Sequence, residues 1–146
     1  MKLVKDFEAF VELLNKNEVK YLVVGGYAFA IHAYPRFTID IDFLILTSKS
    51  NVEKVRLSLD EFGFTSSNIS HEDLTKEGKV IQLGKPPYRI DILTSIDGVN
   101  FTEAWKRKII GKYGDQTLYF ISKEDLILNK KASGRKKDLN DLEDLT

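Results

Sequence analysis

The chain has 146 residues, 22 basic and 22 acidic side chains, a formal net charge of zero and no cysteine. That length suits one domain over residues 1–146, large enough to bury a core without staples, and the charge balance supplies no global field to draw in nucleic acid. Disulfides, zinc–thiolate sites and thiol nucleophiles are excluded. The start MKLVKDFEAFVELL intersperses acids among its apolar residues, unlike a signal peptide, and no apolar run approaches the length of a membrane span. A soluble cytoplasmic protein with no membrane partner is the expectation.

Phe7, Phe10, Val11 and Leu14 recur at helical spacing and predict an opening amphipathic helix, with Asp6 near its start. Lys20 to Val24 reads as a buried strand ending at Gly25-Gly26, and Tyr27 to Ala33 as a short helix stopped by Pro35. A strand follows over Ile39 to Ile45. Ser50-Asn51-Val52-Glu53 reads as a capping box that opens a helix running to about Phe62 and closing at Gly63. Residues 65–78 are polar and read as loop. Lys79 to Leu83 predicts a strand, Gly84-Lys85-Pro86-Pro87 a turn, and Tyr88 to Leu93 another strand. Asn100 to Ile110 reads as a helix around a core Trp105, and Leu118 to Ile121 as a short strand. Ser122 caps a helix to about Ala132, and beyond Gly134 a last helix carries RKKDLNDLEDL. The fold class is α/β (α+β): a small mixed β-sheet flanked by helices, with its core at about residues 20–95 and a C-terminal helical segment at about 122–146.

Three aspartates interrupt the apolar strands. Side chains alternate faces along a strand, so Asp40 and Asp42 point one way while Ile39, Ile41 and Phe43 point into a core. Aspartate is disfavoured in strands, and two on one face repel. Desolvation and repulsion would push at least one to protonate unless a cation neutralises the pair. Asp91, in Tyr88-Arg89-Ile90-Asp91-Ile92-Leu93, supplies a third acid. Oxygen ligands at short spacing favour Mg²⁺ or Mn²⁺ over zinc. Two such ions about 4 Å apart can hold the attacking and leaving oxygens of an in-line phosphoryl displacement. Asp40 and Asp42 could bridge both ions, while Asp91 could bind metal or accept the proton of the incoming hydroxyl. Gly25-Gly26, between a strand and a helix start, leaves bare backbone N–H groups and a helix dipole free to bind phosphate. Each feature alone has a bland reading, as strand-end acids facing water or as a turn. Their order along the chain sets them apart.

In that order the chain resembles the DNA polymerase beta-like nucleotidyltransferase superfamily, and within it small prokaryotic members related to the minimal nucleotidyltransferases and abortive-infection toxin nucleotidyltransferases. The resemblance is carried by Gly25-Gly26-Tyr27-Ala28, His32 and Arg36-Phe37-Thr38-Ile39-Asp40-Ile41-Asp42. A helical tail with Leu126-Ile127, Lys130, Arg135, Lys137-Asp138 and Asp141 adds to it. It implies a nucleotidyltransferase-like fold with C-terminal helices and a metal-dependent transfer of a nucleoside monophosphate from an NTP, releasing pyrophosphate. Asp40, Asp42 and Asp91 would be the catalytic and metal-binding acids, with Mg²⁺ or Mn²⁺ as cofactor. Gly25, Gly26, Arg36, Lys130 and Arg135 would contact the nucleotide. The acceptor stays open among protein, RNA and a small molecule, and no large substrate-binding domain is evident. Something small, a second subunit or a toxin-like protein partner would have to grip it.

Two departures stand out. Tyr27 replaces the serine that many active members use on the triphosphate, and Thr38 lies upstream of the acids rather than a serine immediately before them. The alternative reading is therefore a weak or inactive module that binds a partner in a toxin–antitoxin-like system. Of the remaining side chains, Arg36 could meet a phosphate or pair with Asp40 or Asp42. His32 reads as packing. The basic run Lys130, Lys131, Arg135, Lys136 and Lys137 has a solvated helix face as its plain reading, offset by Asp138, Asp141, Glu143 and Asp144.

Overall fold

The computed structural model describes residues 3–64, 69–84 and 86–146. In chain order the elements are α1 (Lys5–Lys16), β1 (Tyr21–Val24), α2 (Gly25–His32), β2 (Asp40–Ile45), α3 (Lys49–Phe62), α4 (His71–Thr75), β3 (Val80–Leu83) and β4 (Arg89–Leu93). They continue with α5 (Phe101–Lys106), β5 (Ile109–Tyr113), β6 (Gln116–Phe120), α6 (Lys123–Ser133) and α7 (Lys136–Leu145). The strands form one mixed sheet in the order β3-β4-β2-β1-β6-β5, in which β2 pairs parallel with β4 and β1 parallel with β6. Among the described residues no helix is long and apolar enough to cross a membrane.

The sheet has two unlike faces. Tyr21, Ile41 and Phe43 are fully buried. Phe43 meets Tyr21 and Phe10 of α1 edge to ring at 5.5 Å, and Phe10 packs in turn on Phe62 of α3. Burying each such side chain stabilises the fold by about 1.5–3 kcal/mol. The intervening residues Asp40 and Asp42 point to the other face, as strand alternation requires. Ile39 departs from the expected pattern. It precedes β2 and is 42% exposed.

Local signals set several boundaries. Ser122 accepts a hydrogen bond from the Asp125 amide (3.1 Å) and caps α6, while Gly134 closes it with φ +63°. For α3 the cap is Ser48 rather than Ser50. Its hydroxyl accepts from the Asn51 amide at 3.3 Å, and Gly63 ends the helix at φ +103°. Asn51 is buried because its side chain ties three backbone groups, accepting from Lys20 N and donating to the carbonyls of Lys20 and Leu46. That bracket joins the start of β1 to the end of β2.

Three further expectations are corrected. Within the polar stretch read as loop, His71–Thr75 forms α4 behind a Ser70 cap; the expectations for residues 65–68 and Lys85 lie outside the described residues. The helix read over Asn100 to Ile110 stops at Lys106, and Ile109–Tyr113 instead pairs antiparallel with β6 across a two-residue Gly114-Asp115 turn. Glycine suits that turn because its φ is +59°. Trp105 is half-buried, not core. It stacks on Phe101 and receives the Lys108 ammonium at 4.2 Å from its ring centre.

The C-terminal pair α6–α7 is fastened by a buried charge network. Lys130, only 5% exposed, donates to Asp141 (2.9 Å) and lies 3.4 Å from Asp138. Asp141 also accepts both Nη groups of Arg36, at 2.9 and 3.1 Å. The solvated-face reading therefore fails for Lys130 while holding for the exposed Lys131 and Lys136. Changing Asp141 to Ala strips a buried ammonium of its nearer partner and frees Arg36. Urea unfolding should report a loss of about 3 kcal/mol, whereas Lys136→Ala should fall within about 0.5 kcal/mol of wild type.

Candidate active site

The parallel pairing of β2 with β4 places Asp40 opposite Arg89 and Asp42 opposite Asp91. All three acids lie on the sheet face turned away from α1 and α3. Their ligand oxygens are within 4.8 Å of one another. Asp91 is buried, while Asp40 and Asp42 are half-buried. Burial, and then the negative charges of Asp40 and Asp91, push the Asp42 carboxyl up from 3.8 to about 7; a hydrogen bond with Asp91 adds to the rise and Arg89 offsets part of it. Repulsion expected from sequence is therefore present in the folded chain. Three converging carboxylates are a hard-oxygen donor set of the kind Mg²⁺ or Mn²⁺ takes.

Gly25 explains how Asp42 reaches this position. Val24 ends β1 directly opposite Asp42, and the next residue turns into α2 with φ +68°. A Cβ at Gly25 would collide with Asp42 Oδ2, and one at Gly26 would sit 2.5 Å from Thr38 Cγ2. Both glycines are demanded by close approach of the Thr38–Asp42 segment, and Gly25 also by its backbone conformation.

Gly25 and Gly26 form one wall of a cleft of about 480 Å³, with Asp40 and Asp42 at its floor. Arg36, Lys130, Arg135 and Lys137 also line it, so every residue singled out for nucleotide contact comes to this one cavity. Three of those four charges are already paired. Arg36 pairs with Asp141, not with Asp40 or Asp42, and its guanidinium lies 3.9 Å from the Phe29 ring centre. Arg135 pairs with Asp138 at 2.8 Å while remaining 77% exposed. Burial alone would raise the Asp138 carboxyl, but Arg135, Ser133 and Lys130 hold it down at about 2.

Tyr27 does not enter the cleft. It is buried, and its ring packs against Phe7 and Tyr113. His32 is half-buried, its Nε2 2.7 Å from the Ile121 carbonyl.

Two participants were missed in the sequence. Arg89 forks onto Asp91, Nε to Oδ1 at 2.7 Å and Nη2 to Oδ2 at 3.0 Å, and reaches Asp40 Oδ2 at 3.1 Å. Its place two residues before Asp91 in a strand was the available signal, since that spacing shares a face. Phe37 is 78% exposed at the cleft wall, and no local pattern distinguishes it from a core aromatic.

Comparison with known proteins agrees with this geometry. No curated protein matches the chain. Among solved structures, the lincosamide antibiotic adenylyltransferase LnuA, in its lincomycin-bound crystal structure, superposes with a TM-score of 0.59 at 18% identity, covering 99% of this chain and 98% of that one. At that identity the likeness establishes the fold, that of the DNA polymerase beta-like nucleotidyltransferases. Residues 1–146 match the family model described as nucleotidyltransferase of unknown function (DUF6036), and the chain belongs to that family of nucleotidyltransferases.

Proposed function

We propose that the protein transfers a nucleoside monophosphate from an NTP to an acceptor hydroxyl or phosphate, releasing pyrophosphate. The observation that carries this reading is the meeting of three strand carboxylates, two of which line a cleft whose wall is Gly25-Gly26 at a helix start. The family membership of the whole chain supports it. Asp40, Asp42 and Asp91 hold a divalent ion, Mg²⁺ or Mn²⁺, which when bound neutralises charge on the triphosphate and polarises the phosphorus under attack. The amides at the start of α2 and its dipole receive the phosphate tail. Arg135 and Lys137 face the same tail from the exposed side of the cleft.

In the transfer itself the acceptor oxygen bonds to the α-phosphorus, the bond from that phosphorus to the bridging oxygen breaks, and pyrophosphate leaves with the electron pair. For a hydroxyl acceptor, Asp91 takes the proton. Little covalent help from protein is needed, because positioning and charge neutralisation lower the barrier. ATP is the first donor to test, since the fold neighbour is an adenylyltransferase. One domain spans residues 1–146, so the acceptor is gripped by this domain, a second copy or a partner. Buried Tyr27 favours a second reading, a partner-binding module without turnover.

Labelled NTPs incubated with Mg²⁺ or Mn²⁺ and candidate small-molecule, RNA and protein acceptors separate the two. Transfer with pyrophosphate release is expected, and Asp40→Asn, Asp42→Asn and Asp91→Asn should each lower it about 10²–10³-fold or more while folding normally. NTP binding without product from any acceptor class would favour the second reading.

The Asp42 carboxyl gives a pH test. Its folded value of about 7 exceeds the ordinary 3.8, so the native state binds the proton more tightly than the unfolded chain. Its contribution to stability falls as pH rises through that window. Asp42→Asn has no such cost. Without metal, the variant's melting temperature relative to wild type should climb between about pH 4 and about pH 7 and level off above, and millimolar Mg²⁺ should narrow the gap by stabilising wild type alone. A gap independent of pH would remove Asp42 from the repelling cluster.

A further inference from the structure

Arg89 has no part in the transfer described above, yet it makes the most direct contacts with the acids. Its guanidinium engages both oxygens of Asp91 and Oδ2 of Asp40 at 2.7–3.1 Å, taking in-plane lone pairs that a metal would need. Its side chain is 40% exposed, whereas that of Lys130 is 7% exposed and sealed by α7. The contrast matters. Lys130 is fixed by burial; Arg89 has open solvent into which it can turn.

We propose that Arg89 is an internal counter-cation that occupies the place of the divalent ion on Asp91 and Asp40 and is displaced when that ion binds. The inference rests on the nucleotidyltransferase reading of the three acids. A guanidinium keeps its charge at every accessible pH, so deprotonation cannot clear the site. Two cations on one pair of carboxylates repel across a few ångströms. Rotation of the half-exposed side chain is the route left. It follows that the ion alone binds weakly and binds better with NTP, whose phosphates offer Arg89 another anion. Arg89 is thus a positioning residue that couples metal entry to nucleotide entry.

Mn²⁺ titration followed by the electron paramagnetic resonance of the free ion, without nucleotide, tests this. Arg89→Gln keeps a hydrogen-bond donor but removes the competing charge, and should bind Mn²⁺ about tenfold more tightly or better. Arg89→Lys should fall between it and wild type. Arg107→Gln, which breaks an equally bidentate pair with Asp125 outside the cleft, should leave Mn²⁺ affinity unchanged. A purely structural role for Arg89 would lower affinity on substitution, so the gain is the signature. Equal or weaker binding by Arg89→Gln overturns the inference. Should that variant not fold, the Nε–H resonance of Arg89 in wild type decides: it should shift and exchange faster with solvent as Mg²⁺ is added, and an unmoved signal at saturation overturns the proposal. Asp42→Asn separates the two levels. If it binds Mn²⁺ as wild type does, the metal reading of the acids falls and this one with it; if it loses binding while Arg89→Gln matches wild type, only the role of Arg89 falls.

Discussion

Everything at the cleft depends on the register of one parallel strand pair. Because β2 and β4 align Asp42 with Asp91, three carboxylates are forced onto one side of the sheet within 4.8 Å of one another. Two unit charges at that distance repel by about 3 kcal/mol at an effective dielectric constant near 20. That exceeds what a typical exposed ion pair returns. The opposite face makes the arrangement tolerable. A slip of one residue would turn Phe43 and Ile41 out of the aromatic core and the acids into it, so hydrophobic burial enforces the electrostatic conflict.

The conflict is answered at two places. Beside the acids, Arg89 provides a positive charge from the same strand as Asp91. Across the cleft, positive charges are balanced by acids of α7: Lys130 and Arg36 meet on Asp141, and Arg135 on Asp138. Asp141 lies 105 residues from Arg36 in sequence, yet it sets where the cleft wall carrying Arg36 and Phe37 stands. The last helix is thereby part of the cavity's construction rather than an appendage to it.

The site was more legible in the sequence than the periphery. Strand alternation exposed Asp40 and Asp42 because Ile41 and Phe43 beside them must be buried, and Gly25-Gly26 marked a close approach of backbone to the Thr38–Asp42 segment. The Ser122 cap was readable because its partner amide lies three residues away. Strand β5 was not. Ile109 stands four residues after Trp105, a helical spacing, and only pairing with β6 tells Ile109-Ile110 from a helix end. Ser48 and Ser50 are both good caps by type, and the choice between them was made by Asn51, whose side chain is held by Lys20 and Leu46. Nor could any local pattern announce that Arg36 would turn toward Asp141 instead of the neighbouring acids.

The same register bears on how the chain assembles. Strand β4 reaches β2 only after the intervening segment with α3, α4 and β3 has been looped out, a closure of long sequence separation and corresponding entropic cost. Were Asp91 to arrive alone, that closure would also have to drive a third negative charge against two. Arg89 lies two residues away on the same face, near enough to pair with Asp91 within the strand itself. The incoming strand therefore presents β2 with a nearly neutral edge, and the sheet can close before any ion is bound.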